Sequence, residues 1–355
     1  MRANPDGPML MDARWLGIGG PGRVAEHLLQ GLHEIDPPGE WVVWGPDAAD
    51  AHLWSNATRV PNRHHPKALY SQREFPGPRS LQPRVAYFTH HLRPGWRLAP
   101  VELTTVHDTI PFRYPPSRAL APLMRAYIGW MARHSTLVTT DSEFSKQSLQ
   151  EDLGLAPDRI VVLKLAIDHD SAARIRQLRT TVEPVDRVIF VGRDAPHKNI
   201  DRLVRGFATT EFAAHGGVLT LAGVDGPAVG RLRALARHHR VRVELPGVVP
   251  QGELEQLLAS ATLLVQPSLE EGFGLPVAEA IAAGIPVAVS TGGALPEIVQ
   301  GIPVELFDPR DVDAIAQAVD RVAASPDAPL APDWPRPRDY AASVLAAIER
   351  AEQLG

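Results

Sequence analysis

The chain has 355 residues, 44% hydrophobic and 22% charged, which is typical of a protein that buries full cores. Its length favours two domains. The absence of cysteine excludes disulfides, thiolate metal ligands and a cysteine nucleophile. Residues 1–182 carry 21 Lys and Arg against 18 Asp and Glu, and the rest carries 15 against 23. This balance predicts no nucleic-acid partner, although the mildly basic first half is compatible with an anionic partner or a membrane surface.

No apolar run is long enough to span a bilayer, and the first residues lack the apolar core of a signal peptide. We therefore expect a cytoplasmic protein. Peripheral association with the inner face of the membrane is also compatible with the charge of the first half.

In the first half of the chain, short apolar strands alternate irregularly with helices. Strands are predicted at Met9–Asp12, Trp41–Trp44, Val85–Thr89, Leu103–His107, Thr136–Thr140 and Ile160–Leu163. Helices are predicted at Arg23–Glu34, Ser117–Ala132 and Ser142–Asp152. Pro61–Pro83 is expected to be loop or short helix, and the polar stretch Asp168–Val185 to connect two domains.

The second half alternates more regularly. Strands are predicted at Arg187–Val191, Val218–Ala222, Val241–Leu245, Thr262–Gln266, Val287–Val289 and Val304–Phe307. Helices are predicted at Asp201–Phe212, Pro227–His238, Gly252–Ser260, Pro276–Ala283 and Asp339–Gln353. The pattern predicts a doubly wound α/β domain with a parallel sheet and its ligand at the carboxyl ends of the strands. Two such halves facing each other would enclose a cleft, where ligands bind.

The most informative motif is EEGFGLPVAEA at Glu270–Ala280, which follows a predicted strand. Pro276 is expected at the first position of a helix, and the glycines before it leave backbone N–H groups at a positive helix end. This is a site for an anion such as a phosphate. Glu271 and Glu279 would repel a phosphate, so we expect them to bind something else, such as sugar hydroxyls.

A second motif, VGRDAPHKNI, follows the first strand of the second half. Arg193 and Lys198 would lie at the carboxyl edge of the sheet, facing Gly272–Leu275, where two cations could clamp a diphosphate. The alternative is a solvated loop in which Asn199 or Asp201 caps the next helix. Only four of the 36 basic residues are lysines, which favours a functional Lys198.

The first half contributes a glycine motif and a histidine motif. Gly17–Gly22 fits G-x-G-x-x-G, but Ala13–Leu16 separate it from its strand. We interpret it as a glycine loop at a helix start that approaches a phosphate; the alternative is a turn needed for chain geometry. In HDTIP, His107 ends a strand and could bind a sugar or move a proton. Alternatively, it is held by a turn that Asp108 starts.

The remaining polar motifs predict no metal site. Asp168–Asp170 and Asp311–Asp313 have the form D-x-D, but we assign the first to a linker and the second to the start of a helix. The adjacent histidine pairs in the chain lack a convergent set of ligands.

Together these motifs resemble glycosyltransferase family 4, whose members have the GT-B fold of two facing Rossmann-like domains with a cleft between them. The resemblance covers nearly the whole chain, and its most specific element is the E-x7-E block of Glu271 and Glu279. The other matching segments are Asp12–Trp15 with Gly19-Gly20, His107–Pro111, Thr140–Ser145, Val191–Arg193 with Lys198-Asn199, and Trp334 before the last helix.

The resemblance implies a retaining transfer of a hexosyl group, with mannosyl favoured, from a nucleotide-diphosphate sugar. The acceptor would be a glycan, a lipid-linked sugar or a small molecule, and no metal or other cofactor is implied. It implies an acceptor-binding domain at 1–175, a nucleotide-sugar-binding domain at 176–330, and a segment at 331–355 that crosses back to the first domain.

By position, the resemblance assigns Glu271 to the donor sugar, Glu279 to the ribose, and Arg193 and Lys198 to the diphosphate. His107 would lie beside the transferred sugar. Further donor-binding residues would approach the diphosphate or the base: Gly19, Gly20, Val248, Gly272, Phe273, Gly274 and Leu275.

Three alternatives remain open at this point. The chain could be a GT-B enzyme of the epimerase or phosphorylase type, or a non-catalytic GT-B partner subunit. A non-catalytic subunit is disfavoured because the chain has the complete set of His107, Arg193, Lys198, Glu271 and Glu279. The third is a nicotinamide oxidoreductase, suggested by the glycine pattern. Lys164, where many relatives have a small residue, asparagine or a proline-containing turn, leaves the hinge geometry open but not the chemistry.

Overall fold

The computed structural model describes residues 6–46, 54, 56–62, 65–67, 81–115 and 117–354. The chain divides into two compact units, with boundaries between Ile167 and Asp168 and between Trp334 and Pro335. The last helix therefore belongs to the first unit. Most of Pro61–Pro83 lies outside the described residues.

The first unit is built on one parallel sheet. Its strands are β1 (Met9–Asp12), β2 (Trp41–Pro46), β3 (Thr58–Asn62), β4 (Val85–Phe88), β5 (Val101–Thr105), β6 (Leu137–Thr140) and β7 (Ile160–Val162). Among the described residues the strand order is β3-β2-β1-β4-β5-β6-β7. Its helices before the first boundary are α1 (Gly19–Ile35), α2 (Ile110–Arg113), α3 (Ala121–His134) and α4 (Glu143–Leu153).

The second unit repeats this architecture. Its strands are β8 (Arg187–Val191), β9 (Val218–Ala222), β10 (Val243–Gly247), β11 (Leu263–Gln266), β12 (Val287–Ser290) and β13 (Glu305–Phe307). Its helices are α5 (His169–Arg179), α6 (Ile200–Phe207), α7 (Glu211–Ala214), α8 (Pro227–His239), α9 (Gln251–Ser260), α10 (Leu275–Ala282), α11 (Leu295–Ile298) and α12 (Val312–Ala324). Among the described residues the strands pair in the parallel order β10-β9-β8-β11-β12-β13.

Burial on both faces of each sheet explains the apolar strands. Every residue of β1, β4 and β11 is buried, because helices cover both faces of a doubly wound sheet. In the second unit, Phe190, Phe207 and Leu219 belong to one continuous core under α6 and α12. The last helix, α13 (Pro337–Leu354), packs along α1 in the first unit.

Each sheet has a point where the direction of strand order reverses, between β1 and β4 in the first unit and between β8 and β11 in the second. The connections that leave two such neighbouring strands run in opposite directions and open a crevice at the carboxyl edge of the sheet. Ligands of doubly wound domains bind in this crevice, so the topology marks one place in each unit where a site is expected.

The structure differs from the sequence predictions at several elements. Helix α1 begins at Gly19 rather than Arg23, so the glycines form its first turn instead of a loop. The stretch Asp168–Val185 is not a plain linker, because it contains α5. The helix predicted at Asp201–Phe212 ends at Phe207 and is followed by a second short helix. Strand β3 was not predicted, because Val60 is the one buried hydrophobic residue in Thr58–Asn62 and the segment contains a proline.

Candidate active site

The second unit brings three of the predicted site residues together at its crevice. Arg193 and Lys198 lie in the connection after β8, and Glu271 lies in the connection after β11, the neighbouring strand. The structure therefore places at one sheet edge the two cations and the carboxylate that lie more than 70 residues apart in the chain.

Glu271 is a buried carboxylate whose two oxygens have different surroundings. Its Oε1 accepts hydrogen bonds from Lys198 Nζ at 2.7 Å, Gln266 Nε2 at 2.7 Å and Ser268 Oγ at 2.5 Å. No described residue donates to Oε2. Burial alone would raise the pKa of Glu271, but the charges of Lys198 and His197 and the hydrogen bonds outweigh it, and the pKa lies below its ordinary value of 4.5. The carboxylate is thus anchored through one oxygen and ionised.

The two cations of this edge differ in environment. Lys198 is mostly buried and ion-paired with Glu271, whereas Arg193 is exposed and has no hydrogen bond or ion pair to any described residue. The ammonium group of Lys198 carries three N–H donors, of which Glu271 takes one. Both side chains can therefore still donate to an anion, as the predicted diphosphate clamp requires.

Asn199 fixes the loop that carries Lys198. It adopts a left-handed conformation with φ of 58°, and its side-chain amide donates to the carbonyls of Pro267, at 3.0 Å, and Pro309. Leu269 N also donates to His197 O at 2.7 Å. The alternative in which the Asn199 side chain caps the next helix is wrong, because the side chain makes no cap hydrogen bond. Instead it ties the two loops of the crevice together.

The predicted anion loop leads directly into α10. Gly272, Phe273, Gly274 and Leu275 are all buried, and the helix begins at Leu275, one residue before the predicted start. Gly274 has φ of 108°, and a Cβ there would fall 2.6 Å from Leu295 Cδ2, so this position requires glycine. The helix start has no side-chain cap, but Pro276 has no N–H and both Val277 N and Ala278 N donate to Gly274 O, so Leu275 N is the N–H group of this turn that is left for a ligand.

Two site-supporting residues were missed by the sequence analysis. Gly292 and Gly293 follow β12, and a Cβ on either would collide with the backbone of the loop that carries Glu271. Ala294 N donates to Glu271 O at 2.9 Å, which holds this loop against the glycines. The signal that could have found them is a glycine pair one residue beyond a buried strand, where a second backbone can approach closely.

At the crevice of the first unit the structure brings together the glycine motif and the histidine motif. Gly19 and Gly20 form the first turn of α1, which follows β1, and no side chain caps this helix start. His90 follows β4, and His107 follows β5, the next strand in the sheet. The rings of His90 and His107 lie 5.9 Å apart, so the two strand ends meet at one place.

His107 is held through both ring nitrogens. Its Nε2 lies 3.0 Å from Thr89 O, which can only accept, so Nε2 donates; its Nδ1 lies 2.7 Å from Asp141 Oδ2. Burial alone would lower the pKa of His107, but the charge and hydrogen bond of Asp141, with smaller contributions from Asp108 and Thr89, raise it above 6.5. This geometry fits an imidazolium that donates from both nitrogens.

A buried polar and aromatic cluster supports this edge. Arg14 and Asp12 form a fully buried bidentate ion pair, with N–O distances of 2.9 and 2.7 Å. The guanidinium group also donates to Leu92 O and stacks over Trp44. The pair thereby links the ends of β1 and β2 to the loop that follows β4.

The imidazoles of His90 and His91 are kept neutral. His90 stacks on Trp15 with ring centroids 4.1 Å apart, and its Nδ1 accepts a hydrogen bond from Leu92 N. Burial and neighbouring positive charges lower the pKa of His90 well below its ordinary value, and burial, with His107, lowers the pKa of His91 to about 3. This part of the edge is therefore polar and uncharged.

Comparison with known proteins identifies the family. The model described as "Glycosyltransferase Family 4" matches residues 18–171, and the model described as "Glycosyl transferases group 1" matches residues 173–334. The first match lies almost wholly in the first unit and the second match in the second unit. The chain belongs to the GT-B glycosyltransferases of family 4 type. The predicted family and fold class, two parallel-sheet Rossmann-like domains, are confirmed.

Relatives within this family include two mannosyltransferases. The chain is 31% identical over 227 residues to O-antigen chain mannosyltransferase B of Escherichia coli, covering 60% of this chain and 59% of the relative. It is 30% identical over 220 residues to the MMP alpha-(1->4)-mannosyltransferase of Mycolicibacterium hassiacum, covering 58% and 51%. The matched region thus spans between half and three fifths of these relatives' own lengths.

Solved structures share the GT-B fold at low identity. The Anabaena protein Alr3699/HepE in complex with UDP and glucose aligns with a TM-score of 0.68 at 16% identity, covering 98% of this chain and 97% of that protein. At this identity the likeness concerns the fold.

Two further residues assigned by the family resemblance lie on other elements of the second unit. Val248 follows β10, the edge strand, and its side chain is 70% exposed. Glu279 lies on α10, partly buried. Their roles toward the base and the ribose stay predictions.

The acidic D-x-D motifs begin helices, and for Asp311–Asp313 this was the prediction. Asp168 accepts a hydrogen bond from Ser171 N at 2.7 Å at the start of α5, and Asp311 accepts from Asp313 N and Ala314 N at the start of α12. Within the described ranges no three His, Asp or Glu side chains are grouped as metal ligands. In the same ranges, no helix has the length and apolarity to cross a membrane.

Proposed function

We propose that this chain is a retaining glycosyltransferase that moves a hexosyl group, in the narrower form a mannosyl group, from a nucleotide-diphosphate sugar. Membership of the family supports transfer, the names of the two relatives support mannosyl, and the UDP bound to the Anabaena protein supports a nucleotide donor. The acceptor is a hydroxyl group of a glycan, a lipid-linked sugar or a small molecule.

The observation that carries this proposal is the asymmetric carboxylate Glu271. Its Oε1 is fixed by three donors, while no described residue donates to Oε2. An ionised oxygen held in this way can accept a hydrogen bond from a donor-sugar hydroxyl without reorganising. Arg193, Lys198 and the uncapped start of α10 supply positive charge at the same sheet edge, where the diphosphate would bind.

The chemistry follows from this arrangement. The bond between the anomeric carbon and the β-phosphate oxygen breaks, and the electron pair leaves with the nucleoside diphosphate. The acceptor hydroxyl attacks from the same face, forms the new glycosidic bond and passes its proton to the leaving phosphate oxygen. Because negative charge grows on that phosphate, Arg193 and Lys198 stabilise the transition state more than the ground state. The positive charge comes from side chains, so transfer should persist in EDTA.

In the first unit, we assign His107 an electrostatic role toward the transferred sugar rather than that of a general base. Both of its nitrogens lie against acceptor oxygens, and its pKa is raised, so neither nitrogen is available to take a proton from the acceptor. Gly19 and Gly20, at an uncapped helix start, would approach the diphosphate, as the family resemblance implies.

The function is tested by incubating the purified chain with GDP-mannose and with UDP-, dTDP- and ADP-hexoses, with and without a glycan acceptor. We expect one donor to be consumed only when acceptor is present, with the product linkage retaining the anomeric configuration of the donor. Consumption without acceptor would indicate an epimerase or phosphorylase type. Absence of nucleoside diphosphate binding would indicate a non-catalytic subunit, and NAD binding would indicate the oxidoreductase.

A further inference from the structure

A separate pocket of about 880 Å³ lies at the amino-terminal edge of the first unit's sheet. Pro100, Thr136 and Arg159 line it, and each is the residue directly before a strand, β5, β6 and β7 respectively. Because the strands are parallel, their amino ends lie at one edge and the histidine motif at the other. Arg350 and Leu354 of α13 complete the pocket, which we call the amino-edge pocket. It is distinct from the candidate active site.

The amino-edge pocket carries unbalanced positive charge. Arg97, Arg159 and Arg350 line it together with a single carboxylate among its described lining residues, that of Asp158. None of these four side chains forms an ion pair with a described residue. Arginines at a protein surface commonly find a carboxylate partner, as Arg113 does in the same unit with Asp152 at 2.7 Å. Three guanidinium groups around one pocket without such partners leave a net positive site.

The guanidinium groups are held in place by backbone carbonyls. Arg350 Nη2 donates to Asp158 O at 2.8 Å, and Arg97 Nε donates to Ala99 O at 3.0 Å. Arg159 Nη2 donates to Ser135 O, beside the carboxyl end of α3. Each group is therefore positioned before any ligand arrives, which lowers the entropy lost on binding.

The lining residues of the pocket have more unused hydrogen-bond donors than acceptors. A guanidinium group has five N–H donors, and Nη1 of Arg97, Arg159 and Arg350 bonds to no described residue. Thr136 Oγ1 accepts a hydrogen bond from Glu102 N at 3.1 Å, and its own hydroxyl hydrogen is given to no described acceptor. A ligand that fits this surface must supply several acceptor oxygens and at least two negative charges.

We propose that the amino-edge pocket is a second ligand site, which binds the phosphate group of an organic phosphate. A phosphate offers acceptor oxygens to several guanidinium groups at once, and a pocket of this volume accommodates a nucleotide-sized or sugar-phosphate-sized molecule. Leu354, Pro100 and the exposed edge leave room for a less polar remainder. The phosphate can come from a soluble ester or from a lipid headgroup.

The site is tested by residue-resolved labelling of arginines with phenylglyoxal, read by peptide mass spectrometry on the full chain with increasing inorganic pyrophosphate. We expect saturable protection of Arg97 and Arg350, reported separately from protection of Arg193 in the second unit. Exposed Arg237 and Arg338 should label as before. Equal protection of Arg237 and Arg338 would mean general ion screening and would overturn the proposal. If pyrophosphate leaves Arg97 and Arg350 unprotected, the proposal stands only if vesicles that contain phosphatidic acid protect them.

Two arginine variants and two kinds of lipid vesicle test the same proposal further. Arg350→Gln should weaken the protection of Arg97 by about tenfold, the equivalent of one charge-assisted hydrogen bond, whereas Arg338→Gln on the same helix should leave it unchanged. Equal effects of the two variants would contradict the site. Vesicles of phosphatidylcholine with and without phosphatidic acid distinguish the two sources of the phosphate. If only the vesicles with phosphatidic acid protect the arginines, the phosphate belongs to a lipid. If pyrophosphate protects them, the phosphate belongs to a soluble ester. Protection by neither overturns the proposal.

Discussion

The two units share one strand order, to which the first unit adds β7, but their carboxyl edges differ chemically. In the second unit the edge is charged, with the buried pair of Lys198 and Glu271 beside the exposed Arg193. In the first unit the edge presents neutral His90 and His91, and its charged groups are paired internally. The shared fold determines where each site lies, and the side chains at that edge determine what it can bind. An edge with an exposed cation suits a diphosphate donor, and an edge with neutral histidines and internally paired charges suits sugar hydroxyls.

The largest effect should come from removing the paired cation of the second unit. Lys198→Ala should lower kcat/KM by about 10²–10³-fold, because a donor at the growing phosphate charge is lost. Exposed Lys164→Ala should leave turnover unchanged. Steady-state kinetics on purified variants, with thermal unfolding to confirm folding, checks this. Near-normal turnover of Lys198→Ala would contradict the role proposed for Lys198.

Neutralising the carboxylate of the same pair should have the next largest effect. Glu271→Gln keeps the size of the side chain but removes the charge that the sugar contact needs, so kcat should fall by about 100-fold. Exposed Glu253→Gln on α9 is the control. The pKa of Glu271 is lowered by folding, so its contribution to stability holds above pH 4.5 and is lost as the pH falls through the folded value. A variant with wild-type kcat and the same acid unfolding profile would contradict this account.

The glycine support of the charged edge predicts a smaller catalytic effect with a clear structural cause. Gly293 has φ of 68°, and a Cβ there would lie 2.5 Å from Glu271 N. Gly293→Ala should therefore destabilise the second unit by about 1–3 kcal/mol and lower turnover about tenfold. In α8, Gly230→Ala has open space and should be neutral or stabilising. Equal melting temperatures for the two variants would show that the loop has room to move.

The smallest effect is expected at the neutral edge. Asp141→Asn removes the charge that raises the pKa of His107, so that pKa should fall, with a loss of turnover of a few-fold. The pKa of His107 is raised by folding, so the lost stability should be largest below pH 6.5 and vanish as the pH rises through the folded value.

NMR titration of the His107 ring and unfolding at several pH values measure both effects, with exposed Asp225→Asn as the control. An unchanged His107 titration in Asp141→Asn would contradict the ion pair.

The sequence predicted the second unit better than the first. The predicted strands Arg187–Val191 and Val218–Ala222 agree with the structure to the residue. A short apolar run between two turns is too short for a helix and therefore predicts a buried strand. In the first unit, α1 starts four residues early, since glycine and proline were interpreted as loop although they are tolerated in a first helical turn.

The sequence was enough to predict which residues form the site, but not which of them contact one another. The predicted strands place Lys198 and Glu271 in connections at one sheet edge, because the connections after adjacent parallel strands meet there. Their pairing, and the anchoring of one carboxylate oxygen by Gln266 and Ser268, depends on side-chain rotamers that no spacing encodes. The same holds for Asp141, which lies 34 residues from His107 in the chain.

Binding of the donor diphosphate at the charged edge of the second unit is measured by calorimetric titration with GDP, UDP, dTDP and ADP. We expect one of these nucleoside diphosphates to bind. Arg193→Gln should weaken that binding about tenfold, while exposed Arg205→Gln in α6 should not change it. Binding that is equally tight in Arg193→Gln and wild type, or no binding of any of the four, would contradict this prediction.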